Sequence, residues 1–272
     1  MQGSAAARRL LGTLGLNLNA TRFDAFTFYA TAVTSFLESA VPTYVRNLEP
    51  HFGDCPDVSN WLRQKWLPEE LAHGRTIRQF VERLWPEFRW QAAYVAFLES
   101  YVPRCAHEHL RPSKALEALA RCVTETEAAM MYRCLAAYTK DPELKRLLSQ
   151  MSREEIGHYS YFRDVFNRHD AVERNSFWQK ARTILNRSEL VREEDVALAF
   201  RPLNHAWSGF MPFRAFSYAE FLAKAATTMS RHLPIEAGKR MLFRPLMSGR
   251  VWDSFVMEAL AMIVRNQYAI EA

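Results

Sequence analysis

Glycine is scarce in this chain, 9 residues in 272, and alternating apolar–polar runs are almost absent. Together these argue against a fold built from strands and tight hairpins. No apolar run reaches the length of a membrane span. The four cysteines (Cys55, Cys105, Cys122, Cys134) contain no C-x-x-C pair, which excludes a zinc ribbon, a rubredoxin-type iron site and a disulfide framework. They are expected to be small buried hydrophobes. No nucleic-acid motif accompanies the formal charge of +5, so a basic adaptor or nucleic-acid binder has charge alone in its favour. That charge suits an acidic partner of any kind. The opening "MQGSAAARRLLGTLGLNLNA" is short, broken by glycine and ends in asparagine. Residues 1–21 are therefore expected to be a mobile arm, not a targeting signal, in a cytoplasmic protein.

Apolar residues instead recur at three and four, the helical period. The spacing predicts a long helix over 22–48, kinked or broken at Pro42, and a loop in "EPHFGDCPDVSN" with Asp57 or Ser59 as the next cap. A helix follows over 58–84, then a crossover helix over 87–110 ended near Pro103. Two more run over 112–139, with Pro112 in the first turn, and over 142–168. Beyond 172 proline and glycine cut the helical pattern into short pieces. The expectation is an all-α chain with one domain over 22–272: a core at about 22–170 and a C-terminal helical extension at about 171–272.

Glu-x-x-His occurs twice, as Glu70-Leu-Ala-His73 and Glu155-Ile-Gly-His158. Each pair shares a helix face. Taken singly, such a pair is usually a solvated helix face. Here each is preceded one helix earlier by another glutamate in an apolar or small-residue setting: Glu38 in "TSFLESAVPTY" and Glu125 in "CVTETEAAMMY". Glu127 competes with Glu125, but Ala129, Tyr132 and Ala136 continue the stripe of Glu125. The chain thus carries a two-fold repeat of Glu, then Glu-x-x-His. Four antiparallel helices would bring four carboxylates and two imidazoles into one core, and such ligands suit iron or manganese. A zinc protease would need H-E-x-x-H, and neither motif has the first histidine. Glu69 and Glu154, one position earlier, point about 100° away and are expected outside the ligand set. His107, His109, His169, His205 and His232 lack a partner pattern. Tyr132, Tyr159, Trp66 and Met130 are expected to pack the bundle.

This pattern is that of ferritin-like di-iron and di-manganese bundles. Three stretches, "LESAVPTY" (37–44), "WLPEELAHG" (66–74) and "SREEIGHYSYF" (152–162), resemble the soluble acyl-[acyl-carrier-protein] desaturases. The resemblance implies a ferritin-like four-helix bundle with a crossover helix and further C-terminal helices. It makes Glu38, Glu70, His73, Glu125, Glu155 and His158 the metal ligands, through which catalysis would occur. It implies two iron ions, with Mn/Fe as the variant, O2 as co-substrate, an external ferredoxin or reductase, and a homodimer. An acyl group on an acidic carrier protein, or another acyl thioester, would be the substrate. Candidate docking cations are Arg63, Lys65, Arg75, Arg78, Arg83 or the "GKRMLFR" stretch. Where the family often has threonine, one turn after the fourth carboxylate, this chain has Ala128 and Ala129. The competing expectations are N-oxygenation or another oxygenation of a small specialised metabolite, and iron handling as ferroxidase or store.

Overall fold

A computed structural model of the chain describes residues 20–106, 110–190, 194–207 and 209–247. Most of the expected arm, together with His107 and His109, lies outside these residues. Among the described residues every regular element is a helix, and no helix is long and apolar enough to cross a membrane.

Helix α1 (Ala25–Ser39) is capped by Asp24, whose carboxylate accepts from Phe26 N, and nearly all its residues are buried. A helix apolar on every side belongs in the middle of a fold. It stops at Ala40, and α2 (Val41–His51) begins with Pro42 in its first turn. The break therefore falls just before the proline, where the missing N–H costs least. The freed Ser39 carbonyl accepts from the Tyr94 hydroxyl at 2.7 Å.

The expected loop at 49–60 is shorter than the sequence suggested. Helix α2 runs to His51 and α3 (Pro56–Trp61) restarts after only four residues. Its cap is Cys55, neither Asp57 nor Ser59, because Pro56 takes the first helical position. Ser59 is instead buried and bonds the Phe52 carbonyl at 3.1 Å. A π turn (Leu62–Trp66) joins α3 to α4 (Leu67–Leu84) without a break. Such widened turns cluster at functional sites, and this one directly precedes Glu69 and Glu70.

The crossover helix α5 is confined to Trp90–Tyr101 and ends in a 3-10 turn (Val102–Cys105) carrying Pro103. Helix α6 (Lys114–Tyr138) starts two residues later than expected. Ser113 caps it by accepting from Leu116 N at 3.0 Å, so Pro112 lies outside. Helix α7 (Pro142–Glu173) overruns the expected end at 168 and stops at Arg174, the one non-glycine with positive φ (55°) among the described residues.

Helices α6 and α7 form an antiparallel pair across the turn at 139–141, with Glu173 accepting from Lys114 N at the far end (3.1 Å). Helices α1 and α4 form the second pair, because Trp85, just after α4, donates through Nε1 to the Arg22 carbonyl just before α1 (2.9 Å). Helices α8 (Phe177–Leu190), α9 (Val196–His205), α10 (Tyr218–His232) and α11 (Ile235–Phe243) pack on α1, α5 and α6.

Two apolar clusters fill the bundle, and the order along each helix shows what separates them. On α6, residues 115–123 belong to one cluster and 132–136 to the other; on α7, residues 144–151 and 159–166 divide likewise. Helix α4 and the preceding π turn split between Trp66 and Ile77, and α1 with α2 between Ala40 and Val45. In three of these chains the motif residues fall in the gap, and in the fourth Glu38 lies at its edge. A polar layer therefore crosses the bundle between two apolar ends.

Gly74 sets the spacing of that layer. A Cβ there would stand 2.7 Å from Ser39 Oγ and 2.9 Å from Ser39 N, and the backbone nitrogen cannot swing aside. Gly74→Ala is expected to destabilise the protein by about 1–2 kcal/mol: overpacking against a backbone atom costs about 2–3 kcal/mol, the upper part of the usual range, less about 1 kcal/mol of helix propensity gained. Thermal unfolding checks this, and an unchanged Tm would remove the close approach from the account.

Candidate metal centre

Each half of the repeat supplies the layer from two helices. Glu38 comes from the last turn of α1, Glu70 and His73 from the first two turns of α4, Glu125 from the middle of α6, and Glu155 and His158 from the middle of α7. Their exposures run from 1% (Glu155, His158) to 7% (Glu38). All six expected ligands are therefore buried, and they are brought together in two groups. One is Glu38, Glu70, His73 and Glu155; the other is Glu70, Glu125, Glu155 and His158; within each, one atom per residue lies within 4.8 Å of the others. Glu70 and Glu155 belong to both. Of the two candidates on α6, Glu125 joins the layer, whereas Glu127 is half-buried and in neither group.

The imidazoles face inward through Nδ1. His73 Nδ1 lies 3.1 Å from Glu155 Oε1, and His158 Nδ1 lies 2.9 Å from Glu155 Oε2 and 3.0 Å from Glu70 Oε1. Their outer nitrogens are claimed by the other motif. His73 Nε2 donates to Glu154 Oε2 at 2.7 Å, and His158 Nε2 donates to Glu69 Oε2 at 2.8 Å. The repeat thus locks to itself crosswise: the first glutamate of each motif holds the histidine of the other. With Nε2 held by an outer carboxylate, Nδ1 is the nitrogen that would face a metal once one displaced its proton. Glu69 and Glu154 have side chains 33% and 34% exposed, so they sit outside the buried set, as their helical angle requires. Trp61 closes the site beside His158, stacked on Tyr161 at 3.8 Å between ring centres.

Glu69→Gln and Glu154→Gln should each weaken divalent-metal binding by about 10–100-fold, the usual effect of losing a carboxylate that orients a ligating imidazole. Metal titration with fold monitored by circular dichroism checks this. Unaltered affinity in both variants would show that the crosswise bonds do not serve the metal.

So many buried carboxylates cannot all be charged. Burial and the neighbouring Glu70 push the Glu38 carboxyl well above its ordinary range. Burial and Glu155 push Glu70 up to about 7. Burial, with Glu155 beside it, pushes Glu125 to about 8 against the bond from His158. Burial also works on Glu155, but His158 and His73 together outweigh it and hold that carboxyl far below the usual range. Burial opposes charge on both histidines; Glu155 and Glu38 nevertheless raise His73 to about 9, and Glu125, Glu155 and Glu70 raise His158 well above it. Protons thus stand in for cations in the polar layer.

The donor set fits two divalent ions. Glu38 Oε2, Glu70 Oε1, His73 Nδ1 and Glu155 Oε1 are buried without a well-aligned hydrogen bond, despite the close approaches above. Two dications would balance the four carboxylates, and the shared residues Glu70 and Glu155 would face both.

One residue of the layer was missed by sequence reasoning, which assigned Tyr132 to packing. Its hydroxyl donates to Glu38 Oε1. The available signal was its place seven residues after Glu125, on the same stripe. Tyr159 bonds the Met241 carbonyl at 2.7 Å, and Trp66 and Met130 are buried, as expected of packing residues. His169 lies 3.6 Å from Cys55 Sγ, His205 is exposed and His232 lies against Tyr138; none joins the layer. The cysteines are free, three of them buried. Five of the candidate docking cations are engaged in ion pairs: Arg63 with Glu49, Lys65 with Glu69, Arg78 with Glu82, Arg83 with Glu143 and, in the GKRMLFR stretch, Lys239 with Glu236.

Comparison with family models, curated proteins and solved structures finds no match to this chain.

Proposed function

We propose that this chain is a ferritin-like di-metal carboxylate protein, similar to the soluble acyl-[acyl-carrier-protein] desaturases, and that it is an O2-dependent di-iron oxidase or oxygenase. The observation that carries the proposal is the sharing of Glu70 and Glu155 by two buried four-residue groups. Two neighbouring ions need such common carboxylates, and an all-carboxylate and imidazole donor set suits iron or manganese. Glu38, Glu70, His73, Glu125, Glu155 and His158 would hold the metals. Two bound irons, reduced from outside, would supply O2 reduction coupled to removal of hydrogen from an unactivated carbon.

The remaining work belongs to the chain. Glu69 and Glu154 keep both imidazoles turned inward. The apolar clusters above and below the polar layer exclude water from it. Ala128 and Ala129, one turn beyond Glu125, put no hydroxyl where the related family often has threonine, so a donor there has to come from another residue.

A carrier-bound acyl group remains the favoured substrate class, on the resemblance and the net positive charge. Docking an acidic carrier would exchange existing surface ion pairs for new ones, at small cost because exposed pairs contribute about 0–1 kcal/mol. Electrons would come from a separate ferredoxin or reductase, since the sequence has no cysteine set for an iron–sulfur site.

Metal analysis of protein produced with ample iron should find about two ions per chain. The loaded protein, given reductant and an acylated carrier protein, should consume O2 and form an oxidised acyl product. Fe(II) oxidation without organic product, in a large shell, would favour iron handling. Oxidation of a small amine or amino acid in place of the acyl chain would favour the N-oxygenase reading. Metal-free protein under these conditions would overturn the proposal.

A further inference from the structure

Glu38 and Glu125 hold corresponding places in the repeat, yet their surroundings differ. Glu38 Oε1 accepts from the Tyr132 hydroxyl, while its Oε2 is buried without a hydrogen bond. Glu125 meets His158 Nδ1 at 3.5 Å and has no hydroxyl within hydrogen-bond reach among the described residues.

The chain explains the asymmetry. Tyr132 follows Glu125 by seven residues on α6, which continues unbroken to Tyr138. It therefore stays on the inner face, and its side chain leans back over positions i−4 and i−3, which are the small Ala128 and Ala129. Seven residues after Glu38 stands Val45. The helix has broken at Ala40 in between, and Val45 packs into the neighbouring apolar cluster with no group to offer Glu125.

We propose that Tyr132 makes the two metal positions unequal: its phenol occupies one oxygen of Glu38, so that only Oε2 would be free on the side of His73, whereas no hydroxyl competes for Glu125 on the side of His158. This rests on the two-metal reading above and goes beyond it. At the position served by Glu38, one of the two carboxylate oxygens is thus already hydrogen-bonded. It would be the weaker position. Tyr132 acts here as a positioning residue, through Glu38.

Titration of the metal-free full chain with Mn(II), counting free ion by its EPR signal, tests this. The unaltered protein should bind two ions with affinities separated by at least about 10-fold, the scale on which an outer hydrogen bond acts on a metal ligand. Tyr132→Phe keeps the ring and removes only the hydroxyl. Because it frees Glu38 Oε1, it should tighten the weaker position and bring the two affinities within about 3-fold of each other, opposite in sign to the loss expected when a partner that only orients a ligand is removed. Circular dichroism of the metal-free variant shows whether it folds, and the isotherm of the unaltered protein tests the proposal even if it does not. Two equal affinities in the unaltered protein, an unchanged gap in Tyr132→Phe, or a gap widened by weaker binding would each overturn it. Binding of fewer than two ions by the unaltered protein would instead overturn the two-metal reading itself.

Discussion

Glu155→Ala is expected to empty both metal positions at once. Its carboxylate is common to both ligand groups, with Oε1 turned to His73 and Oε2 to His158. Bound metal should fall from about two per chain to well below one. O2-dependent turnover should fall by about 10^3-fold or more, as when one member of a catalytic unit is removed. The adjacent Glu154 touches the layer through the outer nitrogen of His73, its other oxygen accepting from Gln150, so Glu154→Gln is the natural control, with its smaller loss. In the metal-free protein Glu155 is also the anion between two imidazoles, and breaking a buried ion pair is destabilising. Glu155→Gln, which keeps the shape of the side chain, should therefore be measured alongside, with circular dichroism of both metal-free variants. Full turnover by Glu155→Ala would rule out the di-metal mechanism.

Metal loading should raise the melting temperature by about 8–16 °C for each ion present at about 1,000 times its Kd. Ligand bound only to the folded state contributes about 4 kcal/mol under that condition. For a chain of 272 residues, each kcal/mol moves Tm by about 2–4 °C. A preformed layer of buried ligands lowers the Kd, since little ordering remains to oppose binding, so this ratio is reached at a lower metal concentration. Scanning calorimetry with Mn(II), or with Fe(II) under anaerobic conditions, followed by chelation, measures it. The shift should reverse with chelator and be largely absent in Glu155→Ala. No shift in the unaltered protein would mean that protons, and not metals, are the permanent occupants of the layer.

How much of this was legible in advance follows the range of each interaction. Helical period is local, so the positions of α4, α6 and α7 could be read closely from spacing. Helix ends were read less well, because they hang on competition between neighbours. Pro56 displaced Asp57 and Ser59 from the cap before α3, and Ser113 displaced Pro112 from α6. The six candidate ligands were legible because i,i+3 spacing fixes a shared face and the repeat doubled the signal. Choosing Glu125 over Glu127 was possible on stripe continuity, although both remained open until the layer placed one inside.

By itself the sequence determined the helical class, a two-fold set of carboxylates and imidazoles, and four scattered cysteines without a C-x-x-C pair. These depend on residue identity and on spacing within single helices. Only the tertiary structure decided that the two motifs bond crosswise through Glu69 and Glu154, that Gly74 brings α4 against Ser39, and that Tyr132 reaches Glu38 across 94 residues of chain. Those contacts join residues far apart in sequence. They exist only because two helix pairs close on one polar layer, where every buried charge must find a partner.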